Sequence, residues 1–275
     1  MAAIAGPRVP LLNETDSYFD ARNLKSYQSG SNVLTSLLGD TTINVSNLSI
    51  SNGYFIPTFD TTTISNQTLQ PAAAYSFVFW GSPTQSSVGT MFSIESGTQQ
   101  IYQTIGNATY DSVDYGANAI VSISRTIDYN TSTNMVDYLS LASEVPSDGV
   151  QSYIDNAYAI LSLSAKNGIV FLRFKNGDRE MNIAANYTPD GDDLFTVCCG
   201  SSGNVYTVSL YQDSLLLGTS NLASGGDQIP GGNISIFSNG NQASYSNIPM
   251  RLFNIYEREL TSDGVLELKI ALNPT

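Results

Sequence analysis

The chain has 275 residues, 24 acidic against 11 basic side chains, a formal net charge of −13, two cysteines and no histidine. That length is enough for a sizeable hydrophobic core without disulfide support. The absence of histidine excludes a Ser-His-Asp triad, a histidine zinc site and a histidine pH switch. The acidic balance argues against binding to nucleic acid or to a membrane surface, because anionic partners require a basic footprint.

The first twelve residues are predicted to form an extended arm. Pro7 and Pro10 interrupt an apolar segment that has no helical periodicity, and proline is compatible with extended chain. We expect the arm, residues 1–12, to dock on a neighbouring subunit by adding main-chain hydrogen bonds at a sheet edge. Its docking side chains would be Ile4, Val9, Leu11 and Leu12.

Neither a leader nor a membrane helix is expected. The chain begins without a basic segment followed by a long apolar run, which is the pattern of a secretion signal. No stretch approaches the ~18 consecutive apolar residues of a membrane-spanning helix.

Beyond the arm, nine short runs alternate apolar and polar residues at period two, which is typical of half-buried strands. They cover residues 42–46, 75–80, 119–124, 159–164, 168–174, 195–199, 205–211, 233–237 and 250–256. Asn-Gly pairs at 52–53 and 167–168 are typical of tight turns between strands. Short helices are predicted only over 148–159 and 261–268. Residues 13–275 are therefore predicted to form one all-β domain, an antiparallel two-sheet β-sandwich or jelly roll.

The two cysteines, Cys198 and Cys199, are adjacent within one predicted strand. Neighbouring side chains of a strand point to opposite faces. Their Cα atoms are ~3.8 Å apart, below the usual disulfide minimum of ~4.4 Å. We expect two buried free thiols and a protein that folds in a reducing compartment.

Two segments near the ends of the chain resemble a known family. Residues 18–27 read YFDARNLKSY, and residues 253–261 read FNIYERELT. They are similar to the opening and closing strands of laminin-G-like, concanavalin A-type jelly rolls, in the form common among structural proteins of tailed bacteriophages. The resemblance spans about residues 17–268. It implies a concanavalin A-like jelly roll whose first and last strands pair.

The resemblance also points to a rim of loops where such domains hold metals and sugars. Phe59-Asp60-Thr61 stands where the family has Phe-Asp-Gly, and Tyr211-Gln-Asp213-Ser214 where it has Tyr-x-Asp-Gly, so both turns lack the glycine. Sugar recognition combines an aromatic platform with carboxylate or amide partners. Candidate carbohydrate-binding residues are therefore Asp60, Trp80 and Asp213.

The densest acidic segment is Asp190-Gly-Asp192-Asp193. Calcium requires several convergent oxygen ligands, which makes Asp190, Asp192 and Asp193 candidate metal ligands. A solvated acidic turn without an ion is the alternative. No other cofactor is expected.

Glycan hydrolysis is not expected, so the chain is predicted not to be an enzyme. Hydrolases of this sandwich class carry a Glu-x-Asp-x-x-Glu strand that sets two carboxylates ~5–5.5 Å apart, and the chain has no such string. The nearest pair, Glu257 and Glu259, lacks the third acid and is expected to be solvated.

Two functional hypotheses remain. The resemblance implies a non-enzymatic bacteriophage protein, localised to the virion after assembly in the host cytoplasm, that decorates the capsid or forms part of the tail or fibre. It would contact other virion proteins through the arm and form a homo-oligomer, with a trimer favoured. The alternative is a carbohydrate-binding module for host surface glycans, which predicts an exposed cluster of aromatic and Asp or Asn side chains at one loop rim.

Overall fold

The computed structural model describes residues 15–28, 30–65, 68–96, 101–105, 109–110, 113–114, 119–127, 135–142, 152–154, 159–176, 179–223, 228–229, 231–237 and 246–272. The predicted arm, residues 1–12 with Ile4, Val9, Leu11 and Leu12, lies outside these ranges and stays a prediction. None of the helices within them is long and apolar enough to cross a bilayer.

The described residues form 21 strands and one helix. In chain order they are β1 (Thr15–Asp20), β2 (Val33–Thr35), β3 (Thr42–Ser51), β4 (Tyr54–Ser65), β5 (Thr68–Leu69), β6 (Ala74–Gly81), β7 (Val88–Ser96), β8 (Ile101–Ile105), β9 (Thr109–Tyr110), β10 (Val113–Asp114), β11 (Ala119–Ile127), β12 (Met135–Ala142), β13 (Ser152–Ile154), β14 (Ala159–Lys166), β15 (Ile169–Asn176), β16 (Arg179–Asn186), β17 (Asp193–Ser202), β18 (Val205–Gln212), β19 (Leu215–Ala223), β20 (Gly232–Ile236), β21 (Met250–Tyr256) and α1 (Ser262–Leu272).

Two antiparallel sheets build the sandwich. The larger has nine strands in the order β19-β18-β17-β6-β21-β4-β3-β2, with β1 also paired to β21. The smaller has six strands in the order β16-β15-β14-β7-β20-β5. Between β7 and β14, the described residues also form a four-stranded sheet, β12-β11-β8-β13, and the pair β9-β10.

The sequence predictions of secondary structure are largely confirmed. All nine alternating runs coincide with strands, except that Gly168 and Phe237 lie one residue outside β15 and β20, and the helix predicted over 261–268 is α1. The helix predicted over 148–159 is wrong where the structure describes it, because residues 152–154 are strand β13 and Ala159 begins β14. Tyr153 and Ile154 favour strands, and β13 gains main-chain partners by pairing with β8.

The core between the two sheets is built on stacked phenylalanines. The Phe77 and Phe92 rings lie 5.4 Å apart, and Phe92 lies 5.2 Å from Phe253. Phe253 stacks in turn on Phe19 at 6.5 Å. Phe19 of β1 and Phe253 of β21 are register partners, so the opening and closing segments pair as the resemblance implied.

The outer face of the larger sheet is also covered. Thr261 caps α1 by accepting a hydrogen bond from the Gly264 amide at 3.2 Å. The helix turns one apolar face inward, and this packs on the sheet's outer side chains. The buried residues of this second core include Val78, Trp80, Cys198, Leu252, Tyr256, Val265, Leu268 and Leu272.

The second face of the smaller sheet is polar, and it is buried along the central strands. Its residues alternate along the strands with those of the inter-sheet core. They are Ser93, Ser162, Ser164, Arg173 and Ser235. On the edge strand β16 the same face is exposed, at Asn182, Ala184 and Asn186.

The prediction of two buried free thiols is confirmed. Cys198 belongs to the core beneath α1, Cys199 belongs to the inter-sheet core, and both are free and buried. Burial raises the pKa of Cys198 to about 11 and holds the pKa of Cys199 well above its ordinary value.

We expect both thiols to resist alkylation in the native protein at mildly alkaline pH. A raised pKa leaves less of the reactive thiolate, and both sulfur atoms are buried. Labelling with a thiol reagent, followed by mass spectrometry, should give no rapid modification before denaturant is added and two modifications after it. Rapid labelling of the native chain would contradict this placement.

The hairpin of β18 and β19 offers a matched pair of leucines for testing the core. Leu210 is 0% exposed and Leu215 is 66% exposed. Leu210→Ala should lower the free energy of unfolding by about 2–5 kcal/mol through lost burial and a cavity. Leu215→Ala should change it by about 0.5 kcal/mol or less. Equal effects in denaturant titrations would contradict the assigned core.

Candidate functional site

Five connections between strands lie together at one end of the sandwich, which we call the loop rim. They are the β3–β4 turn at 52–53, the β6–β7 loop at 82–87, the β14–β15 turn at 167–168, the β16–β17 segment at 187–192 and the β18–β19 turn at 213–214. Hydrogen bonds join them. The Asn167 amide donates to the Ser87 carbonyl at 3.1 Å, and the Ser82 hydroxyl donates to the Gly191 carbonyl at 3.0 Å.

Strand register sets which side chains meet at the rim. Gly81, the last residue of β6, is the partner of both Asp193 and Met250. A Cβ on Gly81 would lie 2.5 Å from the Pro249 carbonyl oxygen, so this close approach requires glycine. The register of β21 shifts between Met250 and Leu252, and such irregularities often re-aim a side chain. Arg251 stands at that shift.

Arg251 is the centre of a group that we call the arginine–tyrosine cluster, defined as Arg22, Tyr54, Trp80, Asp192 and Arg251. The guanidinium carbon of Arg251 lies 4.3 Å from the Tyr54 ring centroid and 4.8 Å from the Trp80 ring centroid. Its Nη1 lies 3.0 Å from a carboxylate oxygen of Asp192. Arg251 also donates to the Tyr54 hydroxyl, which donates to Asp192. Burial and this bond to Asp192 raise the pKa of Tyr54.

Arg22 completes the cluster from the turn after β1. Its guanidinium carbon lies 5.2 Å from the Trp80 ring centroid. Asp20 accepts two hydrogen bonds from this guanidinium, at 2.9 and 2.7 Å, which raises the pKa of Arg22. Gly53 lies beside the side chain, since a Cβ there would be 3.1 Å from Arg22 Cγ. With φ of +74°, this turn position also favours glycine on conformational grounds.

Trp80 is at the rim, as a rim site requires, but it is only 2% exposed. Two guanidinium groups lie over its ring, so the ring is not an open platform. Its predicted part in sugar binding stays a prediction, and the geometry gives it the role of supporting the two arginines. Tyr54 is the partly exposed aromatic ring of the cluster.

A second group, the acidic cluster, lies at the same rim and comprises Asp190, Asp193 and Asp213. One carboxylate oxygen from each lies within 4.8 Å of the others. Gln212 donates to Asp193 at 2.6 Å, and Lys269 of α1 lies 3.0 Å from Asp213. Burial, opposed in part by the Gln212 bond, raises the pKa of Asp193 to about 6.

The structure regroups the carboxylates that the sequence singled out. Asp213, a sugar candidate, joins Asp190 and Asp193, whereas Asp192, a metal candidate, faces Arg251. Asp60 lies within β4, six positions beyond Tyr54, and its side chain is outside the described part.

The two glutamates considered for hydrolysis lie away from the rim. Glu257 and Glu259 follow the last residue of β21, whereas the rim lies at the first. Both are exposed, as solvated carboxylates are expected to be.

Comparison with known proteins shows the fold. No protein-family model matches the chain, and no curated protein matches it. The receptor-binding domain of botulinum neurotoxin C/D mosaic serotype is 11% identical with a TM-score of 0.50, over 94% of this chain and 51% of that one. The binding domain of botulinum neurotoxin serotype D is 14% identical with a TM-score of 0.49, over 94% and 51%. This chain thus spans about half the length of both toxin chains.

A smaller domain is also similar. The CBM40 of a Ruminococcus gnavus IT-sialidase, bound to α2,3-sialyllactose, is 10% identical with a TM-score of 0.41, over 73% of this chain and 83% of that one. At such low identity, the likeness to the botulinum neurotoxin C/D domain, at a TM-score of 0.50, establishes a shared β-sandwich only.

The single tryptophan allows a test of the arginine–tyrosine cluster. Arg251→Ala removes one of the two groups over the Trp80 ring, so we expect the fluorescence emission to move to longer wavelength as water reaches the indole. Lys25→Ala, at an exposed turn position, should leave the emission unchanged. The spectrum of the unfolded chain gives the upper limit, and no shift in the Arg251 variant would contradict the stacking.

Proposed function

We propose that this chain is a non-enzymatic carbohydrate-binding module whose binding site is the arginine–tyrosine cluster. The observation that carries the proposal is the contact of Arg251 with both the Tyr54 ring and the Asp192 carboxylate at the loop rim. Tyr54, Asp192 and Arg251 are each partly exposed. The cluster therefore offers a donor, an acceptor and an aromatic surface to one ligand.

These groups match the chemistry of a sugar. Each hydroxyl of a sugar both donates and accepts hydrogen bonds, so a neighbouring carboxylate and guanidinium satisfy adjacent hydroxyls. The C–H face of the ring packs on an aromatic side chain. Trp80 and Asp20 hold the two guanidiniums in place, and such preorganisation reduces the entropy lost on binding.

The charge of the site favours a neutral glycan. Arg22 and Arg251 are balanced by Asp20 and Asp192. The adjacent acidic cluster and the net charge of −13 repel sugars that carry carboxylate or sulfate groups. A hydroxyl-rich neutral oligosaccharide therefore fits this rim better than an acidic one.

The fold is compatible with this role. A toxin domain named for receptor binding shares the β-sandwich, and loops on a rigid scaffold are common sites of recognition. The virion hypothesis rests on the sequence resemblance and on an arm outside the described residues. It stays a second hypothesis, without support from the comparisons reported above.

Glycan-array screening of the full chain, followed by calorimetry with the best neutral oligosaccharide, tests the proposal. Tyr54→Ala should weaken binding roughly tenfold through the loss of aromatic contact, and Arg251→Ala should weaken it at least as much. Tyr54→Phe keeps the ring and should retain most of the affinity. Glu257→Gln, at an exposed carboxylate away from the rim, is the matched control.

Two outcomes would contradict the proposal. One is the absence of saturable binding to any neutral glycan by a folded chain. The other is binding that survives Tyr54→Ala and Arg251→Ala unchanged, which would place the sugar elsewhere.

A further inference from the structure

We propose that the acidic cluster of Asp190, Asp193 and Asp213 is a calcium-binding site. Asp190 lies in the β16–β17 connection, Asp193 is the first residue of β17, and Asp213 lies in the β18–β19 turn. One carboxylate oxygen from each lies within 4.8 Å of the others. Ligand oxygens around one calcium ion, each ~2.3–2.6 Å from it, stand at about such separations.

Asp193 gives an independent reason to place a cation here. It is 0% exposed, and its Oδ1 accepts a hydrogen bond from Gln212 at 2.6 Å. Its Oδ2 is buried with no hydrogen-bond partner. An unsatisfied buried carboxylate oxygen is costly, and a metal ion bound by Asp193 would supply the missing partner.

The charge balance of the site indicates a divalent ion. Three carboxylates carry −3, and Lys269, 3.0 Å from Asp213 Oδ2, contributes +1, which leaves −2. The lysine bond occupies one oxygen of Asp213 and does not satisfy Asp193. A divalent cation would bring the cluster to neutrality.

Two of the ligands are held firmly and one faces water. Asp213, at φ +57°, exchanges hydrogen bonds with Leu194: its amide donates to the Leu194 carbonyl at 2.6 Å, and its Oδ1 accepts from the Leu194 amide at 3.3 Å. Asp193 is fixed by Gln212, which also donates to the Thr188 carbonyl at 2.8 Å. Asp190 is exposed.

This arrangement suits calcium better than magnesium. Calcium takes 6–8 oxygen ligands in flexible geometry and accepts water for several of them, whereas magnesium requires a near-ideal octahedron. The exposed side of the cluster, at Asp190, leaves room for water ligands.

Calcium binding at the acidic cluster would also affect the neighbouring arginine–tyrosine cluster. Asp192 lies between Asp190 and Asp193 in sequence, so an ion held by those two would fix the segment that presents Asp192 to Arg251. This coupling rests on the proposed glycan function, whereas the calcium site itself does not.

Calorimetric titration of calcium into the full, chelator-treated chain, without any glycan, is the test. We expect one saturable site and a thermal unfolding midpoint that rises with calcium concentration. Asp190→Asn and Asp213→Asn should each weaken affinity by on the order of tenfold or more, because affinity follows the number of charged ligands. Glu257→Gln removes the same charge from an exposed position away from the rim and should leave calcium affinity unchanged.

The site would be overturned by a folded chain that shows no saturable calcium binding. An equal loss in Glu257→Gln and Asp190→Asn would overturn it too, since it would indicate diffuse attraction to an acidic surface. Equal affinity for magnesium would overturn the assignment to calcium.

The same variants separate this proposal from the glycan proposal. Calcium binding that persists when no glycan binds would refute the function and leave the metal site standing. Glycan binding that depends on Asp192 but is indifferent to calcium would refute the coupling.

Discussion

The pairing of β1 with β21 is the constraint on which the rest of the structure depends. It joins the first described strand to the last, and the Phe19–Phe253 stack at its centre continues into the smaller sheet through Phe92. Burying such large aromatic surfaces is among the strongest contributions to folding. Because this pairing fixes Arg22 beside the start of β21, it also brings both arginines to the Trp80 ring.

The fold was largely accessible from the sequence because its main signal is local. Period-two alternation is set by the strand itself, and it placed Cys198 and Cys199 on opposite faces before any partner strand was known. The helix predicted over 148–159 is wrong because Tyr153 and Ile154 pair with β8, and this long-range pairing was not considered in the prediction. A local sequence pattern predicts the secondary structure correctly where the long-range strand pairing agrees with it.

The candidate site was accessible only in part. Asp190, Asp193 and Asp213 could be named because acidic residues at turns are conspicuous, but their grouping depends on strand register. Arg22, Tyr54 and Arg251 were missed, because each is an ordinary residue in its own segment. No local pattern relates positions 22, 54 and 251, which meet because three strand ends lie level at one rim. The ion pair of Asp192 could not be predicted from the sequence either, because its partner Arg251 lies in a distant strand.

The two adjacent thiols lie in two different hydrophobic cores, so the exposure of each core can be monitored separately. Cys198 is shielded beneath α1, whereas Cys199 is shielded between the sheets. Detachment of the helix alone would uncover the first sulfur and leave the second protected, and separation of the sheets would uncover both. Since local openings often require less free energy than global unfolding, the order in which two neighbouring residues acquire a label records how the sandwich comes apart.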